Sequence, residues 1–217
     1  GDYKEIKSGL FSNYRKIITP LPVPADVESL DKLEKLETRA MHGAYPMVWK
    51  SAKDINVYDH WGNKWLDFTS TIFVANAGHA NPAIKEAIIA VLDDDLTHAY
   101  NYSTRPRLEY LEYLIANTPK FCEKAFLLSA GTEATEVALK LMRMNGQKQH
   151  PDKNIIIALN GNWHGRTMGA QFMAGNEGQK EWIGYRDPFM HHLPFPYDQE
   201  HSVTEDLEKL IEKLGNG

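Results

Sequence analysis

Two short stretches carry residue types that can hold an anion and a flat ring. The first is LLSAGTEATEVALKLMRMNG, residues 127–146, where an apolar run enters a small glycine-centred turn and a helical pattern follows. A helix start leaves backbone N–H groups without intrahelical acceptors and carries a partial positive charge. Small residues there let an anion reach the backbone, and a hydroxyl beside them adds a donor. Ala130, Gly131 and Thr132 are therefore a candidate phosphate cradle. The Gly-Lys-Ser/Thr ending of a Walker loop is absent. The plainer reading is a tight strand-to-helix turn in which Thr132 caps the helix with Glu136 nearby. This stretch alone leaves both open.

The second stretch is NGNWHGRTMGA, residues 160–170. Trp163 offers a flat apolar face for stacking on a planar heterocycle. Arg166 offers a forked cation suited to a carboxylate. Taken singly, Trp163 reads better as core and Arg166 as half of a surface ion pair. Their position weighs the other way, because both follow a strand-like run.

The elements that must position these residues can be read around them. Residues 124–128 (KAFLL) read as a short buried strand, and residues 132–144 as a helix with Val137, Leu141 and Met144 on one side. Asn145-Gly146 reads as its stop. Residues 154–159 (NIIIAL) lack polar alternation, as a strand covered on both faces does. Strand, helix and strand imply a right-handed βαβ unit in a parallel sheet, with both candidate stretches at its carboxyl edge, where open α/β sheets bind ligands. Upstream, a proline-rich run leads to a helix starting near Asp26 or Ser29, with Leu30, Leu33 and Leu36 on its apolar side. Residues 55–58 and 64–68 read as a hairpin about Trp61-Gly62-Asn63. Pro82 suits the first turn of a helix that buries Ile84, Ile88, Val91 and Leu92. Further helices are expected over 107–116 and in HSVTEDLEKLIEKLG, capped by Ser202 or Thr204. A doubly wound sheet needs more strands than the chain supplies before Gly217.

Composition bounds the function classes. A chain of 217 residues that is 42% hydrophobic can build a core. A net charge of −5 argues against a nucleic-acid surface. The single cysteine, Cys122, excludes an internal disulfide and favours a cytoplasmic setting. No apolar run approaches the roughly 18 residues of a membrane span. The N-terminus lacks the apolar core of a signal peptide, and Gly1 in place of Met reads as a trimmed tag or processed start. His191-His192, with His164 and His201, invites a metal reading, but neighbouring histidines point apart on a strand and lack ligand spacing, so no metal is expected. Asp93-Asp94-Asp95 reads as a solvated helix end.

Together and in this order, the two stretches resemble the class III (omega) aminotransferases, which have the fold type I pyridoxal-phosphate architecture. The family pattern is Asn-Ser-Gly-Thr-Glu-Ala-Asn-Glu, then an aromatic residue with His-Gly-Arg-Thr. VYDHWGNKWLDFTS is similar to the family's Asp-x-x-Gly-x-x-Tyr-Leu-Asp-Phe hairpin, NAGHANPAI to its Gly-His-x-x-Pro stretch, and LPFPY also fits. The resemblance covers residues 45–197. It implies an α/β chain. Residues 1–75 would contribute to the small domain, and residues 76–217 would form the first part of the large domain that binds pyridoxal phosphate.

By that resemblance, Ala130, Gly131 and Thr132 bind the cofactor phosphate, Trp163 stacks on the pyridine ring and His164 stands beside it. Arg166 takes a substrate carboxylate, and Tyr45, Trp49 and residues 71–73, Thr71 first, lie near the substrate mouth. The partners implied are an amino donor, a keto acid acceptor and a second copy of the chain. Three departures stand out. Ala130 replaces the usual Ser, Thr135 the usual Asn, and Thr71 a common Gly, where a β-branched residue narrows the pocket or changes the backbone. The chain also ends before the family's Schiff-base lysine and the aspartate that holds the pyridine nitrogen. Lys124, Lys140 and Lys153 do not stand in the family's lysine context. The chain alone is therefore expected to be inactive, and the alternative is a non-catalytic transaminase-like binding or regulatory protein.

Overall fold

Prolines, asparagines and glycines punctuate the chain into short elements, which the computed structural model describes for residues 9–38, 45–197 and 202–215. They fall into two compact units, Gly1–Ser103 and Thr104–Gly217.

The first unit is built on a five-stranded antiparallel sheet. Its elements are β1 (Leu10–Phe11), β2 (Lys16–Ile17), α1 (Pro24–Leu36), β3 (Trp49–Lys53), β4 (Asn56–Asp59), β5 (Lys64–Leu66), α2 (Ser70–Phe73) and α3 (Pro82–Asp93), with strand order β1-β2-β5-β4-β3. The expected hairpin forms, with Val57 opposite Trp65 and Tyr58 opposite Lys64. Gly62 supplies the left-handed residue of its turn at φ +86. Asn63 is fully buried and ties the turn to the preceding chain. Its Oδ1 accepts from Ile18 N at 2.7 Å, and its Nδ2 donates to Asp59 Oδ2 at 2.6 Å and to Thr19 Oγ1 at 2.7 Å. Ile17, Leu21 and Val23 form the core beneath, with Trp65 packed on it.

Two helix expectations change here. α1 begins at Pro24, ahead of Asp26, because proline's fixed φ suits a first helical turn. Asp26 lies inside that turn and accepts from Trp61 Nε1 at 3.0 Å. α3 starts at Pro82 as expected, with Asn81 Oδ1 accepting from Ala83 N and Ile84 N. Its apolar stripe is not buried, however: Ile84, Ile88 and Leu92 are each about half exposed, at 51%, 56% and 51%. Among the described residues no element lays a substantial face on it.

The second unit holds α4 (Arg105–Ala116), α5 (Gly131–Gln149), β6 (Ile156–Leu159), α6 (Met168–Met173), a 3-10 turn (Glu177–Lys180), β7 (Met190–Leu193) and α7 (Val203–Leu214). Ser202 caps α7, accepting from Glu205 N. β6 and β7 pair in parallel, with Ile156 opposite Met190 and Leu159 opposite Leu193. The strand expected over 124–128 does not form. That run is irregular, and Phe126, Leu127 and Leu128 are exposed, because no described strand offers it a ladder. The parallel strand–helix–strand unit is instead β6, α6 and β7.

α5 also departs from expectation. It runs through Asn145-Gly146 to Gln149. Gly146 is there for close approach, since a Cβ on it would meet Lys153 O at 2.3 Å. The buried face carries Leu139 and Gly146, while Leu141 and Met144 are exposed. Leu139 packs with Ile156 and Met173, and Met190 covers that cluster.

Candidate active site

α5 opens with Ala130 as its N-cap, in extended conformation at φ −139. Alanine has no acceptor to give the helix. Glu133 instead reaches back, its Oε2 accepting from Ser129 N at 3.0 Å and Ala130 N at 3.2 Å. The N–H groups of the first helical turn keep no intrahelical acceptor. A Cβ built on Gly131 would meet nothing within 4 Å, and its backbone is not left-handed. Neither packing nor backbone geometry of the described residues requires a glycine there. The space in front of Gly131 is open.

Thr132 is not the cap that the plainer reading expected. Its hydroxyl lies 3.0 Å from that of Thr167. Thr167 gives its own proton to Glu136, so Thr132 is the donor in this pair. Glu136 Oε1 also accepts from Ala170 N at 3.1 Å and so serves the first turn of α6. Thr135, where the family pattern has Asn, donates from Oγ1 toward His164 O at 2.7 Å and Thr132 O at 2.8 Å. Gly165, at φ +125, fits directly over Thr132, since a Cβ there would lie 2.0 Å from Thr132 Oγ1. These bonds bring the loop of residues 162–167 onto the start of α5. The two sequence stretches therefore meet in space.

Trp163 is 57% exposed, which rules out the core reading. The Arg166 guanidinium sits over its ring, 5.5 Å from the centroid. That contact is worth about 0.5–1 kcal/mol at an exposed site. It replaces the expected surface ion pair and occupies one face of the indole. His164 is partly buried, and Asn162 Nδ2 lies 2.8 Å from its Nε2. Open backbone donors, a hydroxyl and an exposed indole suit a phosphorylated planar heterocycle. His192, on β7, is engaged elsewhere, with its Nε2 3.1 Å from Met173 O. His201 lies outside the described residues.

In the first unit, Tyr45, Trp49 and Thr71 line one cavity of about 360 Å3, with Met47, Leu66 and Ile72 among its walls. Thr71 is left-handed at φ 51 and ψ 47, and Ser70, Ile72 and Phe73 share that conformation at φ 50, 59 and 70. Such backbone costs about 1–2 kcal/mol per residue without glycine. Residue-by-residue reading missed what holds it. Asp67 Oδ1 accepts from Thr69 N at 3.0 Å and Thr69 Oγ1 at 2.8 Å, and Oδ2 accepts from Thr71 N at 3.0 Å. His79 Nε2 meets the same Oδ2 at 2.7 Å. Burial pushes the Asp67 carboxyl up, but the bonds from His79, Thr69 and Thr71 outweigh it and hold the group below the usual carboxylate range. Both residues lie in quoted motifs, yet nothing in the linear pattern pairs them.

Known proteins resemble this chain in sequence and in fold. The chain is 39% identical over 164 residues to the mitochondrial acetylornithine aminotransferase of Candida glabrata, covering 71% of this chain and 36% of that protein. It is 27% identical over 201 residues to the diaminobutyrate–2-oxoglutarate transaminase of Halalkalibacterium halodurans, covering 88% of this chain and 45% of that protein. The fold matches a transaminase from the marine bacterium Virgibacillus with a TM-score of 0.77 at 20% identity, over 87% of this chain and 45% of that one. It matches an (S)-enantioselective omega-transaminase from Thermomicrobium roseum with a TM-score of 0.76 at 22% identity, over 87% and 46%. The chain thus spans less than half the length of these proteins, and its fold is part of fold type I. The sequence profile of the class-III aminotransferases, which depend on pyridoxal phosphate, matches residues 38–216. The chain belongs to the class-III aminotransferase family.

Proposed function

We propose that the protein to which this chain belongs transfers an amino group between an amine or amino acid and a keto acid on bound pyridoxal phosphate. The observation that carries this reading is the open start of α5 at Gly131 with the exposed face of Trp163 on the loop bonded to it. The N–H groups of the first turn and the Thr132 hydroxyl hold the phosphate, and the exposed indole of Trp163 carries the ring. His164 stands beside the ring, anchored through Asn162 and Thr135. When bound, the cofactor supplies the electron sink for the substrate's α-carbon.

Arg166 binds a substrate carboxylate, for which it leaves the indole. The relatives named for acetylornithine and diaminobutyrate support a donor that bears one. In the first unit, Tyr45, Trp49 and Thr71 shape the substrate mouth. Residues 1–75 belong to the small domain and residues 76–217 to the large one. The enzyme works in the cytoplasm as a homodimer. No helix of the described residues is long and apolar enough to cross a membrane.

The 217-residue stretch alone binds the cofactor without turning it over. Among the described residues, none of Lys124, Lys140 and Lys153 bonds to Ala130, Gly131, Thr132, Trp163 or His164; Lys153 pairs with Gln149 instead. The test is to titrate it with pyridoxal phosphate, reduce with borohydride and measure intact mass. Saturable binding with only scattered labelling is expected. One stoichiometric adduct at a single lysine would overturn the inactivity, and no saturable binding would overturn the cradle.

A further inference from the structure

The left-handed turn Ser70–Phe73 is four residues long, contains no glycine and forms part of a cavity wall. Something must pay for it. We propose that Asp67 and His79 form a latch that holds this turn in place, so that Thr71 and Ile72 set the width of the cavity in the first unit. Asp67 is then a positioning residue, not a binding group for a ligand cation.

The count of donors decides between these roles. An ionised carboxylate has about four lone-pair sites. Asp67 receives four bonds, from Thr69 N, Thr69 Oγ1, Thr71 N and His79 Nε2. Its side chain is only 4% exposed. The carboxylate borders the cavity, yet it has no acceptor capacity left to offer. Two of its donors are backbone N–H groups, Thr69 just before the turn and Thr71 within it.

His79 fixes the other end. Its N–H and C=O both pair with Asp54, at 2.8 and 2.9 Å, next to the β3–β4 hairpin. Its ring meets Trp49 edge-on, with centroids 6.1 Å apart and planes at 85°. Trp49 is another wall of the same cavity. The pair therefore joins two walls, the turn and the indole, through one part-buried bond. Thr71 is the residue most dependent on it. Glycine would adopt φ 51 freely, while threonine must be held there.

What enters the cavity rests on the substrate-mouth reading above. The latch does not. The full 217-residue chain labelled with 5-fluorotryptophan tests it, with the Trp49 19F signal assigned through Trp49→Phe. Asp67→Asn is expected to shift or broaden the Trp49 signal while Trp163 and Trp182 stay unchanged. Adding Thr71→Gly to Asp67→Asn should return the signal most of the way, because glycine lowers the cost that the latch offsets. If Asp67→Asn does not fold, the milder Asp67→Glu series, which keeps the His79 ring against Trp49, is read the same way. An unmoved Trp49 signal, or a double variant no nearer the parent than Asp67→Asn, overturns the latch.

Benzyl alcohol and benzylamine then serve as neutral and cationic probes of the cavity. Similar affinities are expected. Benzylamine binding roughly tenfold more tightly, with Asp67→Asn abolishing only that difference, would make Asp67 a cation site and overturn the proposal. Failure of both probes to bind would sink the substrate-mouth reading alone, since the Trp49 series still decides the latch.

Discussion

The hydroxyls of Thr132 and Thr167 lie 3.0 Å apart, although the residues are separated by 35 positions in the chain. Thr167 spends its proton on Glu136, and Glu136 in turn accepts from the backbone of α6. One side-chain relay therefore joins the start of α5, the loop carrying Trp163 and His164, and the start of α6. The same hydroxyl of Thr132 is the one we propose to hold the cofactor phosphate. It must leave Thr167 to donate there.

That exchange sets the size of one expected effect. A hydrogen bond to a charged group contributes about 1.5–3 kcal/mol, but Thr132 gives up an existing bond to make it. Thr132→Ala should therefore weaken pyridoxal phosphate binding by roughly tenfold, the lower end of that range. Pyridoxal, which lacks the phosphate, should be affected much less. Titration followed by Trp163 fluorescence checks both, and an equal loss for both ligands would remove Thr132 from the phosphate site.

Gly165→Ala should be strongly destabilising. Its Cβ would lie 2.0 Å from Thr132 Oγ1 and 2.5 Å from Thr132 Cβ, on a backbone at φ +125. A loss of about 2–4 kcal/mol is expected in urea unfolding. Combining it with Thr132→Gly should recover the steric part and leave the backbone part. Strict additivity of the two changes would mean that the contact is not the cause.

Gly146→Ala separates propensity from packing. In an exposed helix interior the change would gain up to about 1 kcal/mol. Here the new Cβ meets the Lys153 carbonyl oxygen at 2.3 Å, and that atom belongs to backbone. The clash should win, with a net loss of roughly 1–3 kcal/mol by chemical denaturation. A stabilised variant would show that residues 150–155 can move away from α5.

Acid should destabilise the chain in two stages. Burial, and then the nearby Lys180 charge, hold His192 below the usual histidine range despite its bond to Met173. The unfolded state then binds a proton before the folded state does. Stability is full above the unfolded value near 6.5 and falls as pH drops through it toward the folded value. Asp67 acts lower down. Burial raises its carboxyl, but the bonds from His79, Thr69 and Thr71 prevail and lower it. Its contribution is present above the ordinary value of about 4 and is lost as pH falls through the lower folded value. Glu177, held down chiefly by its bond to Lys180, adds to the same limb. Melting temperature against pH should show a first decline below about pH 6.5 that His192→Gln removes. Asp67→Asn should flatten only the limb below about pH 4. An unchanged acid limb in Asp67→Asn would contradict the depressed carboxyl.

Several features were legible in the chain because they depend on near neighbours only. The hairpin about Trp61-Gly62-Asn63 follows from a glycine that can take φ +86 between two strand-forming runs. The helix from Pro82 follows from proline's fixed φ behind a capping Asn81. Gly131, Thr132, Trp163 and Arg166 became candidates for holding an anion and a ring through their position after strand-like runs, and the resemblance of both stretches to the class III aminotransferases gave the family.

Tertiary structure decided what distant segments do to each other. The face α5 buries is set by Leu139 meeting Ile156 and Met173, and helical periodicity by itself fits either side. Gly146 reads as a stop until the Lys153 backbone is seen against it. The run at 124–128 has strand composition but no described partner, and a strand's hydrogen bonds come from its neighbour. Arg166 looked free for a carboxylate and lies on Trp163. Asp67 and His79 were each visible in the sequence, but their bond depends on a left-handed turn between them that no local preference of Ser, Thr, Ile or Phe would select. Local sterics are written in adjacent residues, whereas pairing is a property of the packed chain.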